Sequence, residues 1–381
     1  MTTMTATYLD FAATTPVDPR VAEVVMRHML LEYGNAGSRT HEYGARAAKA
    51  VERARAQVAQ VVDADVTDVI FTSGATEANN LALLGLADEG MRNGRTHIVT
   101  TAIEHKAVLE PLAVLGSRGF TVEIVAPESS GAVNVDAVLD AIRPNTLLVS
   151  VMHVNNETGV RQPVDDIASR LEAHPGVFLH TDAAQGFGKE LRSLEHRRID
   201  MISVSGHKLF APKGVGALIL RRRDRKRPPL APLMFGGGQE RGLRPGTLPV
   251  ALIAGLGLAA ELALTEHDAR EDKCRATRVA VLDALLRVGA VANGDQSRTV
   301  PHIVNVSLPD LDSEAAMLAL KEITAISNGS ACTSASYEPS HVLQAMGLGA
   351  ERERSALRFS WGPDTTPPDV DAIERAIRPL L

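Results

Sequence analysis

Cysteine, tryptophan and long apolar runs are scarce in this sequence of 381 residues. It holds two cysteines and one tryptophan, and aromatic residues make up 3% of it. Two cysteines cannot build a disulfide framework, so free thiols in a reducing compartment are expected. The formal net charge of −6 lacks the basic excess that would draw the chain to nucleic acid or to an anionic membrane. These absences favour an ordinary globular protein that needs neither a disulfide framework nor an anionic partner.

Targeting signals are equally scarce. Residues 1–7 lack the basic and apolar regions of a secretory signal peptide. The most apolar stretch, from Leu248 to Leu264, contains glycines and breaks at Glu261, which favours a buried helix over a membrane span. The expected location is therefore the cytoplasm.

Short apolar runs alternate with helical patterns over the first two thirds of the chain. The predicted strands are 69–72, 96–100, 121–125, 147–151, 177–180, 201–204 and 215–220. Helical spacing is clearest at 135–142 and 164–171, and a long helical pattern runs from Val250 to about Val288. This alternation predicts an α/β fold with a mainly parallel sheet covered on both faces, followed by a smaller α+β portion. The predicted domains are a large one at 16–260 and a small one formed by 1–15 and 261–381.

Cys332 lies in a small, polar segment, residues 326–336, that has no apolar period. A structural cysteine is usually buried among hydrophobic residues, so this position predicts a solvent-reachable nucleophilic thiol. Cys274 lies in a charged helical stretch and is interpreted as incidental.

Lys208 follows the apolar strand 201–204 and stands beside His207. A lysine just past a buried strand suits a Schiff base with an aldehyde cofactor. A nucleophilic thiol and an imine-forming lysine in one chain predict sulfur chemistry on an amino acid.

Two further segments follow strand ends. Residues 71–80 run through a small-residue turn into a helix, whose free N–H groups, with the Thr76 hydroxyl, could bind an anion or could simply be capped. Asp182 follows the strand 177–180, with Gln185 three residues on, and could hold a pyridine nitrogen protonated or cap a helix. His105 also follows a strand, and both a structural and an acid–base role are open.

Arginines raise two more alternatives. Arg358, on the predicted strand 357–360, could bind a substrate carboxylate or an internal acidic residue. The run from Arg221 to Arg227 holds six cationic residues in seven positions. It is interpreted as a solvated loop or as a docking surface for an acidic partner or a nucleic-acid acceptor.

Four motifs in fixed order carry a family resemblance. Residues 153–159 (HVNNETG), 180–185 (HTDAAQ), 205–208 (SGHK) and 329–334 (GSACTS) resemble those of the pyridoxal-phosphate (PLP)-dependent cysteine desulfurases. Those enzymes belong to the class V aminotransferase superfamily, and the cysteine segment resembles that of the NifS/IscS-type group. The similarity extends from residues 8–16 to 358–360. It implies the PLP-dependent transferase fold of the aspartate aminotransferase type, with the large domain binding PLP and the small domain carrying the Cys332 segment.

The resemblance also implies roles for single residues. Lys208 would hold PLP covalently, His105 would stack on its ring as acid and base, and Asp182 would pair with its pyridine nitrogen. Gln185 and Asn156 would lie near its phenolic oxygen. The residues implied at the phosphate are Ala75, Thr76, Ser205, His207 and, from the other subunit of a homodimer, Thr247.

The implied reaction converts L-cysteine to L-alanine. Arg358, Asn35 and Asn156 would bind the substrate, and Cys332 would take its sulfur as a persulfide. The persulfide would pass to a protein acceptor in iron–sulfur assembly, tRNA thiolation or DNA phosphorothioation. No intrinsic metal is expected, although the Cys332 persulfide could ligate an iron–sulfur cluster transiently.

Two other functions fit parts of the pattern. A PLP-dependent aminotransferase of the same fold would need Lys208, Asp182 and His105, but it has no use for the Cys332 thiol. A non-catalytic scaffold for sulfur carriers would not need the complete set of cofactor residues.

Overall fold

The computed structural model describes residues 6–328, 340–366 and 368–380. Cys332 and the rest of its motif lie outside these described residues. The strands are β1 (Thr7–Tyr8), β2 (Val69–Thr72), β3 (His97–Thr101), β4 (Thr121–Val125), β5 (Thr146–Ser150), β6 (Phe178–Asp182), β7 (Met201–Ser205), β8 (Gly216–Leu220), β9 (Val291–Ala292), β10 (Ile303–Ser307), β11 (Thr324–Ala325) and β12 (Ala356–Ser360). The helices are α1 (Pro19–Leu30), α2 (Glu42–Gln60), α3 (Ala75–Leu84), α4 (Ala87–Arg92), α5 (Lys106–Ser117), α6 (Val135–Asp140), α7 (Val164–Arg170), α8 (Val250–Thr265), α9 (His267–Arg287), α10 (Ser313–Leu320), α11 (His341–Ala345), α12 (Ala350–Arg354) and α13 (Val370–Ile377).

Seven strands form the main sheet, in the order β2-β8-β7-β6-β5-β3-β4. Strand β8 pairs antiparallel with both of its neighbours, whereas the pairs from β7 to β4 are all parallel. Strands β2, β3, β5, β7 and β8 are buried along their whole length. The predicted α/β fold with a mainly parallel sheet is thereby confirmed.

The period of two along a strand places alternate residues in different cores. In β2, Val69 and Phe71 pack into one core, whereas Ile70 packs into a second core on the other face. Helices α2 and α8 contribute to the first core, and α3 and α5 contribute to the second. Since both faces bury apolar side chains, the strands read in sequence as nearly continuous apolar runs.

A third core lies among the C-terminal elements and the first strand. Strands β12, β10 and β9 form an antiparallel sheet, and β1 pairs in parallel with β11. Leu9 and Phe11 pack there with Phe359 and Trp361. The domain boundaries given above stay a prediction.

The long helical pattern after residue 250 is two helices rather than one. Helix α8 ends before Glu266, and α9 begins after it, at an angle of 76°. Glu266 accepts hydrogen bonds from Arg20 and Arg270. The apolar period of the sequence does not predict contacts of this kind. Nine residues of α8 are buried, as predicted for the apolar stretch. In the described ranges no single helix is long and apolar enough to cross a membrane. Only the bent pair of α8 and α9 reaches that length and apolarity, when the two helices are taken together.

Candidate active site

A cavity of about 540 Å³ opens where the carboxyl ends of the parallel strands meet. Residues after β2, β3, β5, β6 and β7 line it, together with residues 12–13 and Arg358 of β12. Of the residues predicted for the site, those lining the cavity are Ala75, Thr76, His105, Asn156, Asp182, Gln185, Ser205, His207, Lys208 and Arg358. The structure thus brings together ten side chains that are spread over almost 300 residues of sequence.

The turn between β2 and α3 forms a cradle at one end of the cavity. Gly74 has φ +152° and ψ −177°, a conformation that is essentially restricted to glycine. A Cβ at Gly216 of β8 would lie 2.6 Å from the Gly74 Cα, so the turn and the strand require glycine at both positions. In the described ranges no residue accepts a hydrogen bond from the amides of Ala75 or Thr76. The positive end of α3 can therefore bind an anion.

Lys208 lines the same cavity as this cradle. It ends a single turn of 3₁₀ helix that follows β7. Its Nζ donates to the carbonyl oxygen of Ala13 at 2.6 Å and to that of Ala12. Phe210, two residues on, has φ +62°, which is rare for a bulky side chain and marks a constrained turn. The amine is therefore presented to the cavity from a fixed backbone.

Asp182 is the last residue of β6 and is 5% exposed. Its Oδ2 accepts a hydrogen bond of 2.7 Å from Asn79 Nδ2, and its Oδ1 accepts one of 2.9 Å from the Ala184 amide. These contacts fix the plane of the carboxylate. Asn79 was not predicted from sequence, although it lies on α3 three residues after Thr76.

His105 caps the N-terminus of α5. Its Nδ1 accepts a hydrogen bond of 3.1 Å from the Ala107 amide. Burial lowers the pKa of His105, the nearby Lys208 lowers it further, and Asp182 opposes the shift. The ring is therefore neutral near pH 7, and its single proton lies on Nε2, because Nδ1 is already an acceptor.

Gln185 and Asn156 contribute amides to the cavity. The Nε2 of Gln185 donates to the Ala12 carbonyl at 2.8 Å, and its Oε1 is buried without a partner in the described residues. Asn156 is half-buried, and its carbonyl accepts a hydrogen bond of 3.0 Å from Arg358. A buried acceptor without a partner, beside the cavity, indicates that a bound group donates a hydrogen bond to it.

Arg358 has the internal acidic partner that was one of the two interpretations left open by the sequence. It is 2% exposed, and its Nη2 pairs with Asp10 Oδ1 at 2.7 Å. Its Nε is buried and has no partner in the described residues. An internal acid therefore fixes the guanidinium, and the remaining N–H groups can still bind a carboxylate.

Glu104 is a buried acid that sequence reasoning missed. Its Oε1 accepts hydrogen bonds from Thr101 Oγ1 at 2.7 Å and from the Met152 amide at 2.8 Å. Burial raises the pKa of Glu104 to about 8, so it is mainly protonated at pH 7. It ties the ends of β3 and β5 together directly before His105. The only sequence signal was its position next to that histidine.

Two predicted residues of the described ranges are not brought into this cavity. Asn35 and Thr247 are exposed and do not line it, and Asn35 Oδ1 accepts a hydrogen bond from the Gly37 amide instead. Cys332 lies outside the described residues.

The basic run is largely engaged within the chain. Arg221 is 4% exposed and donates to the carbonyls of Leu194 and His196 at 2.7 and 2.8 Å. Arg222 pairs with Asp68, Arg223 with Asp200, and Arg227 donates to the Thr67 carbonyl. Exposed cations without an ion pair to the described residues are Arg225 and Lys226. Most of the run is thus bonded within the chain rather than solvated, which favours a structural role over a broad docking surface.

The donor set fits PLP. The cofactor offers a phosphate, a pyridine nitrogen, a phenolic oxygen and an aldehyde. The cradle at Ala75 and Thr76 offers unengaged amides, the fixed Asp182 carboxylate suits a protonated ring nitrogen, and Lys208 offers an amine.

Comparisons with known proteins agree with this geometry. Residues 7–373 match the aminotransferase class-V family. The chain is 44% identical over 374 residues to the cysteine desulfurase IscS of Pectobacterium carotovorum, which covers 97% of this chain and 91% of the relative. It resembles the crystal structure of DndA from Streptomyces lividans with a TM-score of 0.82 and 55% identity, over 93% of this chain and 99% of the other. It also resembles SspA in complex with cysteine, with a TM-score of 0.83 and 37% identity, over 95% and 100% of the two chains.

Proposed function

The chain belongs to the aminotransferase class-V family and, within it, to the cysteine desulfurases, and from this premise we propose how its residues release sulfur from L-cysteine and pass it to an acceptor. The observation that carries the proposal is the meeting of Lys208, Asp182 and Arg358 around one cavity. These three groups suit an aldehyde cofactor, its ring nitrogen and an amino-acid carboxylate.

Four residues hold the phosphate of PLP in this proposal. The amides of Ala75 and Thr76 and the side chains of Ser205 and His207 line the same end of the cavity. Burial, with the positive charges of Lys208 and Lys213, lowers the pKa of His207 to about 4, so its neutral ring can donate one N–H to an anion. PLP, the cofactor of this family, supplies an electron sink when bound.

Two groups handle protons. Lys208 Nζ lies against the carbonyls of Ala12 and Ala13, which orient the amine. His105 holds its one proton on Nε2, because Nδ1 accepts from the Ala107 amide. It therefore presents an N–H donor to the cavity at Nε2.

Substrate binding rests on Arg358 and Asn156. Asp10 and the Asn156 carbonyl fix the guanidinium, so binding a carboxylate costs little side-chain entropy. We assign Cys332 as the thiol that takes the sulfur. An S–S bond to the substrate sulfur forms as the Cβ–S bond of cysteine breaks, and protonation of the remaining three-carbon unit gives L-alanine. The outer sulfur of the Cys332 persulfide is then transferred to a protein acceptor.

A homodimer is part of the proposal. Thr247 is exposed and lies outside the cavity of its own protomer, so we assign it to the cofactor phosphate of the partner subunit. Phe235, in the same loop region, is 86% exposed, and Leu30, Leu31 and Tyr33 form a further exposed apolar stretch. Apolar surface of this kind is typical of subunit contacts. Asn35, next to that stretch, would reach the substrate in the assembled enzyme.

The test is an assay of the purified enzyme loaded with PLP. Incubation with L-cysteine and a small thiol reductant should yield L-alanine and sulfide in equal amounts. The same enzyme offered L-alanine and a 2-oxo acid should show no amino transfer. Transfer of the amino group without sulfide release would instead establish an aminotransferase.

Arg358 gives a test of substrate binding. In Arg358→Lys the cation still faces Asp10, but the planar pair with a carboxylate is lost. The apparent affinity for L-cysteine should fall by about 30-fold or more, the equivalent of about 2 kcal/mol. The fraction of enzyme loaded with PLP should not change. Initial rates against L-cysteine concentration, with visible absorbance for the cofactor, measure both.

Asp10→Asn is the matched control for Arg358. It removes the internal carboxylate and leaves the guanidinium able to bind substrate. It should lower the thermal unfolding midpoint while retaining affinity for L-cysteine. If both variants lose stability and neither loses affinity, Arg358 serves only its pair with Asp10.

A further inference from the structure

A second, smaller cavity is lined by the residues that directly follow Lys208. Leu209 and Phe210, directly after Lys208, form one wall with Gly188 and Lys189. The opposite wall comes from α9 and from residues 301–302 and 361–363. Its volume of about 40 Å³ leaves room for about three water-sized groups.

Lys189 brings an uncompensated charge to this cavity. Its side chain is half-buried, and its Nζ forms neither an ion pair nor a hydrogen bond with any residue in the described ranges. The nearby acids are already engaged, since Glu190 pairs with Arg161 and Glu271 with Arg275. A cation removed from water needs a counter-charge.

Cys274 does not supply that counter-charge. It lines the same cavity and is 6% exposed. Burial raises the pKa of its thiol to about 11, despite the opposing effect of Lys189. The side chain is therefore a neutral thiol at pH 7 rather than a thiolate.

His302 offers a second binding group. It is 5% exposed, lines the cavity, and its Nε2 has no hydrogen-bond partner in the described residues. Burial holds the pKa of His302 well below its usual value, so the neutral ring has one N–H. With that proton on Nε2, the ring donates to a ligand in the cavity without adding charge.

We propose that this cavity binds one small monovalent anion of halide size between the Lys189 ammonium and the His302 imidazole. Room for about three waters excludes a phosphate with its hydration shell. The apolar faces of Leu209 and Trp361 suit a weakly hydrated ion rather than a strongly hydrated one. The argument for this site does not rest on the proposed desulfurase chemistry, and none of the groups assigned to that reaction binds the anion.

The anion would act on the active site through charge. Lys189 lowers the pKa of His207 together with Lys208 and Lys213. A bound anion offsets the Lys189 charge, so it should make His207 more basic. By contacting both Lys189 and His302, the bound anion would also connect the segment after Lys208 with α9 and with residues 301–302 and 361–363.

Binding should depend on pH through Lys189. Burial, with Lys208 adding to the effect, lowers the pKa of Lys189 to about 8. The ammonium is present below that pH and is lost as pH rises through it, so affinity for the anion falls in the same window. The charged and titratable groups facing Lys189 or lining the cavity with it are Lys208, His207, Cys274, His267, Arg270, Glu271 and His302.

Bromide is the probe for this site. Crystals of the holoenzyme grown in sodium bromide should show an anomalous peak within hydrogen-bonding distance of Lys189 Nζ and His302 Nε2. Lys189→Met should remove the peak. Lys321→Met, which changes an exposed lysine at the end of α10, should keep it. Absence of bromide from the parent cavity, or its retention in Lys189→Met, would overturn the proposal.

A solution experiment needs no variant. At pH 7, sodium bromide should raise the thermal unfolding midpoint of the holoenzyme saturably by about 2 °C or more, relative to sodium gluconate at equal ionic strength. At pH 9.5 the difference between the two salts should disappear, because Lys189 is neutral. Equal midpoints in both salts at pH 7, or a bromide effect that is unchanged at pH 9.5, would contradict the site.

Discussion

Replacing Lys208 with arginine is expected to abolish covalent attachment of PLP while preserving the fold. The guanidinium keeps a positive charge and donors for the carbonyls of Ala12 and Ala13, but it stays protonated and forms no imine. Turnover of L-cysteine should fall by about 10²- to 10⁴-fold or more, because a positioned acid–base group is lost as well. Borohydride reduction followed by peptide mass spectrometry measures the attachment, and alanine formation measures turnover.

Lys213 provides the matched control for Lys208. It also lines the cavity and is exposed. Lys213→Arg should retain a borohydride-reducible adduct at Lys208 and most of the turnover. A reduced adduct on any other lysine of Lys208→Arg would show that the imine-forming residue has been misassigned.

The second large effect is expected for Cys332→Ser. A serine hydroxyl neither ionises near pH 7 nor accepts sulfur as a thiolate does, so alanine and sulfide formation should fall below detection. PLP loading and the spectral change on adding L-cysteine should survive, because neither uses the thiol. Mass spectrometry of the parent after brief exposure to L-cysteine should find one extra sulfur atom on the peptide that contains Cys332.

Cys274→Ser distinguishes a specific thiol from any thiol. Cys274 is buried, and its pKa of about 11 keeps it protonated, so its replacement should leave turnover within about twofold of the parent. Sulfur found on Cys274, or undiminished turnover in Cys332→Ser, would move the nucleophile away from position 332.

Sequence predicted the site well where strand ends determine position. The runs 69–72 and 121–125 coincide with β2 and β4, since apolar residues bounded by turns leave little choice of element. Because parallel strands end at one edge, residues such as His105 and Asp182 could be placed together without knowledge of the fold.

Contacts between distant segments could not be predicted in this way. The Asp10 partner of Arg358 lies 348 residues away, and no local pattern connects the two. Arg221 looked like part of a surface run, but its guanidinium is buried against the carbonyls of Leu194 and His196. Hydrogen bonds to backbone carbonyls cannot be predicted from the residue types around them.

The pair formed by Asp10 and Arg358 has a consequence for biosynthesis. The carbonyls of Ala12 and Ala13, which hold Lys208, belong to the same segment as Asp10, whereas Arg358 is translated 348 residues after Asp10. The contact between Asp10 and Arg358 therefore forms only after β12 has left the ribosome. A nascent chain that ends before β12 would carry Lys208 but no fixed guanidinium. Under the function proposed above, such a chain would lack the group that binds the carboxylate of L-cysteine.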